Sequence, residues 1–206
     1  YLGRLSKSRR FCNRSYFASH QMIELTNGEI TLRPLTGADA KQWRRVRATN
    51  RDWLEEWEAT VPKTAKSDGL KGALSFRKMV RAHAKESRAG RSFSFGIFKG
   101  PNLIGQINLG GVIYGALRGG HIGYWVDQSY ANRGYMTEAV NMVTDFAFNE
   151  LELHRIEINI RPENSPSIRV AEKCGYLYEG LRPRYLHIAG AWRDHHCFVR
   201  ENIAIK

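Results

Sequence analysis

Two stretches of this 206-residue chain carry residue types suited to handling a phosphate-bearing substrate. The first runs Tyr124-Trp-Val-Asp-Gln-Ser-Tyr-Ala-Asn-Arg-Gly-Tyr-Met-Thr-Glu-Ala139. Its start reads as the end of a strand, and its polar middle as a short loop that opens a helix at about Gly134. The first N–H groups of a helix lack partners within it, and the helix dipole adds positive potential there. Such an opening suits a diphosphate. Gly134 removes the Cβ that would hold phosphates away, and Arg133 supplies charge. An ordinary strand-loop-helix with a glycine for its turn has the same outline, so this stretch alone leaves both readings open.

The second stretch follows some thirty residues on: Arg161-Pro-Glu-Asn164-Ser-Pro-Ser167-Ile-Arg169-Val-Ala-Glu-Lys173-Cys-Gly175-Tyr176. It also leaves a strand and enters a helix. Asn164 or Ser165 can cap that helix, and Gly175 can stop it. Capping does not account for the pairing of this entry with the first one on the neighbouring strand.

The rest of the chain must position these two loops. Glu29 to Leu35 alternates as a strand, and Thr36-Gly-Ala-Asp39 has the shape of a capping box. Helices are expected from there to about Asn50, from Trp53 to Thr60, and from Leu70 to Ala89 after a loop over Pro62 to Gly69. Strands follow at Phe93 to Phe98, Leu103 to Leu109 and His121 to Val126. Met136, Val140, Val143 and Ala147 then form one apolar helical stripe. A strand over His154 to Ile160, a helix over Pro166 to Lys173, and strands near Tyr185 to Ile188 and Cys197 to Ile203 complete an α+β domain on one mixed sheet.

The phosphate loop, followed at this distance by RPENSPSIRVAEKCGY, resembles the cofactor half of the GNAT acetyltransferases. The resemblance covers about residues 25–204. It implies a mixed, mostly antiparallel sheet of about seven strands, splayed in the middle and flanked by helices. The domain would occupy residues 23–206, after a basic arm over 1–22. It further implies acetyl-coenzyme A as cosubstrate, with its pantetheine arm lying between the splayed strands. By the same resemblance, main-chain groups of Trp125 and Val126 hold that arm, and Asn132, Arg133, Gly134, Tyr135, Met136 and Thr137 surround the diphosphate. Asn164 binds the pantetheine, and Ser167 lies near the thioester sulfur. The broad family signature is Gln or Arg, two residues, Gly, one residue, then Gly or Ala; here Ala131 and Met136 fill its first and last places. That departure is usual in the branch that modifies ribosomal proteins. Trp57-Glu58, Gly115 to Arg118, Ile122 to Trp125, Leu181 to Leu186 and Ala191 to His195 resemble the RimJ-type ribosomal-protein-alanine acetyltransferases, particularly actinobacterial ones.

Acetyl transfer to an amine needs a neutral amine, a stabilised oxyanion and a protonated leaving thiol. A backbone N–H beside Val126 is the expected oxyanion donor, and Ser167 the expected relay of a proton to the thiolate. Glu58 is either the base, a holder of the incoming ammonium, or part of a solvated helix face. Arg184 stands where related enzymes can carry a Glu. A strong base is not required for every amine. An α-amine of pKa about 7.8 is roughly one-third neutral at pH 7.5, whereas a lysine of pKa about 10.4 is neutral only about 0.1% of the time.

The charge balance is +12, with 32 Lys and Arg against 20 Asp and Glu, which favours an anionic partner. Five of the bases fall between Tyr1 and Gln21 without an acid; no apolar run follows them, so they read as an arm rather than a signal peptide. No run approaches the ~18 apolar residues of a membrane span. Cys12, Cys174 and Cys197 are scattered and read as reduced cytoplasmic thiols. Asp194-His195-His196-Cys197 alternates across a strand and cannot converge on one ion, so no metal is expected. His187 and His195 fall on the last hairpin, where exposure is common, and Trp43, Trp53, Trp57, Tyr124 and Trp125 read as core aromatics. The leading function is acetylation of a protein N-terminus, most simply the alanine of a ribosomal protein, whether free or on the ribosome, with no membrane and no sequence-specific nucleic acid. The alternatives are acetylation of a small-molecule amine, or a ribosome- or RNA-binding module that has kept the fold.

Overall fold

The structure is a computed structural model that describes residues 23–62 and 75–205. The expected arm over 1–22 lies outside the described residues, as do 63–74, which hold most of the Pro62 to Gly69 loop and the first residues of the helix expected from Leu70.

Eight strands form one sheet in the order β1-β2-β3-β4-β5-β6-β8-β7. They are β1 (Leu25–Thr26), β2 (Thr31–Arg33), β3 (Phe93–Lys99), β4 (Asn102–Ile113), β5 (Gly119–Val126), β6 (Arg155–Ile160), β7 (Leu177–Ile188) and β8 (Ala191–Glu201). The two-residue β1 is additional to the expected set. Every neighbouring pair is antiparallel except β5 and β6. The helices are α1 (Ala40–Thr49), α2 (Arg51–Glu55), α3 (Phe76–Arg88), α4 (Tyr135–Asn149) and α5 (Ser165–Lys173).

Helix α4 covers one face of the sheet. Ala139, Val140, Val143 and Ala147 are completely buried there against Phe93, Phe95 and Ile107, with Phe146 edge-on to Phe93. Removing a valine side chain from water in this way contributes about 1.5–3 kcal/mol. Helices α1 and α3 cover the other face. Trp43, Met79 and Val80 pack on Leu35, Phe76, Phe98 and Leu103. Asp39 fixes the start of α1, accepting from the Thr36 N–H at 2.7 Å and holding Arg33 at 2.8 Å.

Several features differ from the sequence reading, among them strand β8, which begins at Ala191 rather than near Cys197 because the residues from Ala191 on pair with β7. Helix α2 ends at Glu55 instead of reaching Thr60. The backbone beyond it pairs with the last hairpin: Ala59 bridges Ile188, the Thr60 N–H donates to the His187 carbonyl at 2.8 Å, and the Ala189 N–H to that of Glu58 at 3.1 Å. An edge offering unpaired main-chain groups outcompetes one more helical turn. Strand β7 begins at Leu177 rather than near Tyr185, because its whole length pairs with β8. His195, on β8, is 2% exposed rather than open to solvent.

Candidate active site

The centre of the sheet opens between β5 and β6. The two strands pair in parallel only over Gly119–His121 and Arg155–Glu157, and beyond that they separate. The Asp127 N–H donates to the Ile104 carbonyl at 2.8 Å, which fixes the phase of the β4–β5 ladder. By alternation, Trp125 and Gly123 turn their main-chain groups to β4, while Ile122, Tyr124 and Val126 turn theirs to the gap. Of the two residues expected to present main-chain groups there, Val126 therefore does and Trp125 does not. The Val126 carbonyl already accepts from the Trp53 indole at 3.2 Å, leaving its N–H as the group aimed into the gap.

A cleft of about 820 Å³ runs through this opening, and every residue expected to hold the cofactor, together with Ser167 and Glu58, lines it. Side chains alternate across β5, so the cleft has two sides. Tyr124 faces α5, and Trp125 faces α1, where Arg47 lies 5.3 Å from its ring centre.

On the α4–α5 side stands the phosphate loop. Gly134 caps α4 with φ +86°, and Asn132 also has positive φ, at +59°. Left-handed residues alternating with ordinary ones turn successive N–H groups toward one side and make an anion-binding concavity. A Cβ built on Gly134 meets no protein atom within 4 Å, so the space beside it is open to a ligand. The Tyr135 and Met136 side chains turn inward and are buried, Tyr135 bonding Lys99 through its hydroxyl. What these two residues offer the cleft is backbone, at the helix N-terminus. Arg133, Arg169 and Lys173 add positive charge to this side.

Helix α5 brings Asn164 and Ser167 to the gap. The Asn164 side chain accepts from the Ser167 N–H at 3.1 Å, so it caps the helix as well as lining the cleft. The Ser167 hydroxyl lies 2.8 Å from the Tyr124 hydroxyl. Burial pushes the Tyr124 phenol far above its ordinary value, opposed by its bond to Ser167. The phenol therefore stays protonated. Like Trp53 and Trp57, which also line the cleft, Tyr124 is a site residue that the sequence reading placed in the core. Its signal was present: it stands two residues before Val126 on one strand face, and a buried phenol needs a hydrogen-bond partner.

The α1–α2 side is built differently. Trp53, Trp57, Glu58, Asp52 and Glu56 line it, with Arg47 reaching in from α1. Glu58 is ion-paired with Arg47. Arg161, at the end of β6, donates to the Glu56 carbonyl at 2.9 Å and lies 5.1 Å from the Trp57 ring centre, tying this wall to the sheet. Asn50 does the same for the loop after β5, accepting from the Gln128 N–H at 2.8 Å. Arg47 was also missed, although it follows Trp43 by four residues and so shares the inward stripe of α1. The Arg118 carbonyl receives the N–H groups of His154 and Arg155, at 2.6 and 3.1 Å, and so joins β5 to β6 below the gap.

Of the potential metal ligands among the described residues, Glu157, Glu179 and Cys197 bring donor atoms within 4.8 Å of one another. Both carboxylates are already held by arginines: Glu157 by Arg182 at 2.7 Å, and Glu179 by Arg155 at 2.5 Å. That arrangement is a compensated ion network.

The family model described as an acetyltransferase (GNAT) domain matches residues 29–177. RimJ from Mycobacterium smegmatis, whose structure is in complex with CoA-disulfide, is 36% identical, with a TM-score of 0.78 over 89% of this chain and 88% of that one. The ribosomal-protein-S5-alanine acetyltransferase of Vibrio fischeri is 26% identical, with a TM-score of 0.77 over 89% of this chain and 99% of that one. The ribosomal protein uS5-alanine N-acetyltransferase of Escherichia coli (strain K12) is 28% identical over 87% of this chain and 91% of its own. An open strand edge, an anion-binding helix start and an acidic, aromatic far wall are what a thioester donor and an amine acceptor require of one cleft. This chain belongs to the GNAT family of acetyl-coenzyme A-dependent N-acetyltransferases, in its RimJ-type branch.

Proposed function

We propose that the enzyme acetylates the α-amine of a protein N-terminus, an N-terminal alanine of a ribosomal protein, in a reducing cytoplasm. The observation that carries this reading is the α1–α2 wall. Asp52, Glu56 and Glu58 offer negative charge to one ammonium, while Trp53 and Trp57 offer flat apolar surface to a small side chain and the chain behind it. Glu58 is already committed to Arg47, so it orients the incoming amine more readily than it strips a proton from it. An α-amine, about one-third neutral near pH 7.5, tolerates that arrangement where a lysine does not. Cys174 and Cys197 are both free thiols, which suits a reducing compartment.

In this reading coenzyme A supplies an activated acetyl group, and the protein supplies position and hydrogen bonds. The loop over Asn132 to Thr137 holds the diphosphate through backbone N–H groups, and Asn164 reaches the pantetheine. The Val126 N–H points where negative charge develops on the acetyl oxygen. Tyr124 donates to the Ser167 oxygen, which leaves the Ser167 proton directed at the departing sulfur.

Release of free thiol, followed across Ala-, Ser- and Met-initiated peptides and a panel of polyamines, amino-sugars and amino acids, tests the assignment. The fastest turnover should fall on an Ala-initiated peptide. Good rates on a small amine alone would overturn the acceptor while leaving the cofactor site intact.

A further inference from the structure

Positive charge is concentrated on two of the helices. Helix α1 carries four bases and no acid, and α3 carries five bases and one acid. Helix α4, on the opposite face, carries two acids and no base. The α1 and α3 bases are not spread around their helices. Lys41, Arg44 and Arg45 stand at i, i+3 and i+4, and Arg77, Arg81 and Lys85 at i, i+4 and i+8, so each set forms one outward stripe. The inward sides of the two helices meet, with the Trp43 and Phe76 rings 5.4 Å apart, so the two stripes lie side by side.

Among the described residues none of these six side chains makes a salt bridge. The one acid of α3, Glu86, accepts from Nε and Nη2 of Arg91 at 2.8 and 2.7 Å. A surface of aligned, uncompensated cations repels itself unless an anion covers it.

We infer that the α1–α3 face is a docking surface for the phosphate backbone of RNA. A helix that inserts into a membrane surface presents large apolar side chains on its free face, and here Met79 and Val80 are turned into the core. A protein partner is recognised through buried aromatic and aliphatic anchors, which these stripes lack. A phosphate backbone needs charge and hydrogen-bond donors alone, and reading it in this way is independent of sequence. Arg47, on the inward side of the same α1, lines the acceptor wall, so RNA bound on the outer side would lie next to the acceptor's entry. The inference deepens the N-terminal reading, on which it rests, by naming what brings the enzyme to a ribosomal acceptor.

The test is the anisotropy of a fluorescein-labelled RNA hairpin titrated with the full chain between about 50 and about 200 mM salt. Two variants are compared with the parent: Arg77→Glu/Arg81→Glu/Lys85→Glu on α3, and Arg184→Glu/Arg193→Glu on the last hairpin. The α3 variant should bind more than tenfold more weakly and show a salt slope shallower by about 3, one for each phosphate that is no longer neutralised. The hairpin variant should stay within about threefold of the parent. Acetylation of a short peptide, whose cleft none of the three α3 residues lines, should be unchanged in the α3 variant. If that variant unfolds, Arg77→Gln/Arg81→Gln/Lys85→Gln replaces it, with a smaller loss in the same direction. Unchanged binding by the α3 variant, equal loss by the hairpin variant, or tighter binding of anionic vesicles or poly-glutamate than of RNA overturns the inference. Failure of the peptide assay in the parent with the RNA result intact removes the acceptor assignment instead.

Discussion

Gly134 offers a quantitative test of the cofactor site, because strain and obstruction can be separated there. With φ +86°, its replacement by Ala places an L-residue in the left-handed region, at about 1–2 kcal/mol. For a chain of this size that amounts to roughly 2–8 °C in Tm. The new Cβ meets no protein atom within 4 Å, so no clash adds to the strain. It does stand beside the backbone donors at the start of α4. Displacing a phosphate from one charge-assisted hydrogen bond costs about 1.5–3 kcal/mol, or roughly 10- to 150-fold in affinity. Gly28 supplies the control, since it has φ +89°, equally open surroundings, and no part in the cleft. Calorimetric titration with coenzyme A and thermal melts should find Gly134→Ala and Gly28→Ala similarly destabilised, and only Gly134→Ala impaired in binding. Parent-like affinity in a folded Gly134→Ala protein would refute the placement of the diphosphate.

Ser167→Ala should lower turnover about tenfold or more with little change in coenzyme affinity, as expected for a bond that matters in the transition state. Tyr124→Phe should cost about 1 kcal/mol in kcat, and the double variant should be no slower than Ser167→Ala; additive losses would show that the two hydroxyls act separately. Glu58→Gln should raise the peptide KM about fivefold while leaving coenzyme binding alone; a loss confined to kcat would identify Glu58 as the base. His195 is held below the ordinary imidazole pKa chiefly by burial, and also by Arg161, while its bond to the Arg193 carbonyl and the charges of Asp194 and Glu163 act the other way. The unfolded chain therefore takes up its proton first. Stability is full above about pH 6.5 and falls as pH drops through the lower folded value. Urea melts should show that slope, flattened in His195→Gln, and an unaltered slope would place the titration elsewhere.

Much of the architecture was legible because it follows short-range rules. The apolar stripe of Met136, Val140, Val143 and Ala147 specified α4, and Gly134 before it marked the cap. The Asn164-Ser-Pro-Ser167 entry specified α5, and the family resemblance pointed both loops at one ligand. What escaped depends on contacts distant in sequence. Trp57 and Glu58 read as helix, but α2 closes in a turn over Glu56 and Trp57, and from Glu58 on the backbone pairs with the hairpin around His187 and Ala189, more than 120 residues away. The length of β7 was hidden because Leu177, Tyr178 and Leu181 alternate poorly when both sides of an edge strand are exposed. Tyr124 and Arg47 have core-like and surface-like identities respectively. Only the opening of β5 from β6 turns both toward the cleft.

The central claim is that the cleft delivers acetyl to an α-amine. Two peptides of one sequence, Ala-initiated and containing internal lysines, differ only in that the second carries a blocked α-amine. Incubated with the enzyme and acetyl-coenzyme A and mapped by tandem mass spectrometry, the first should gain a single acetyl group on its N-terminal alanine, and the second should gain none. Lysine acetylation of the blocked peptide at a rate matching the free one would contradict the account.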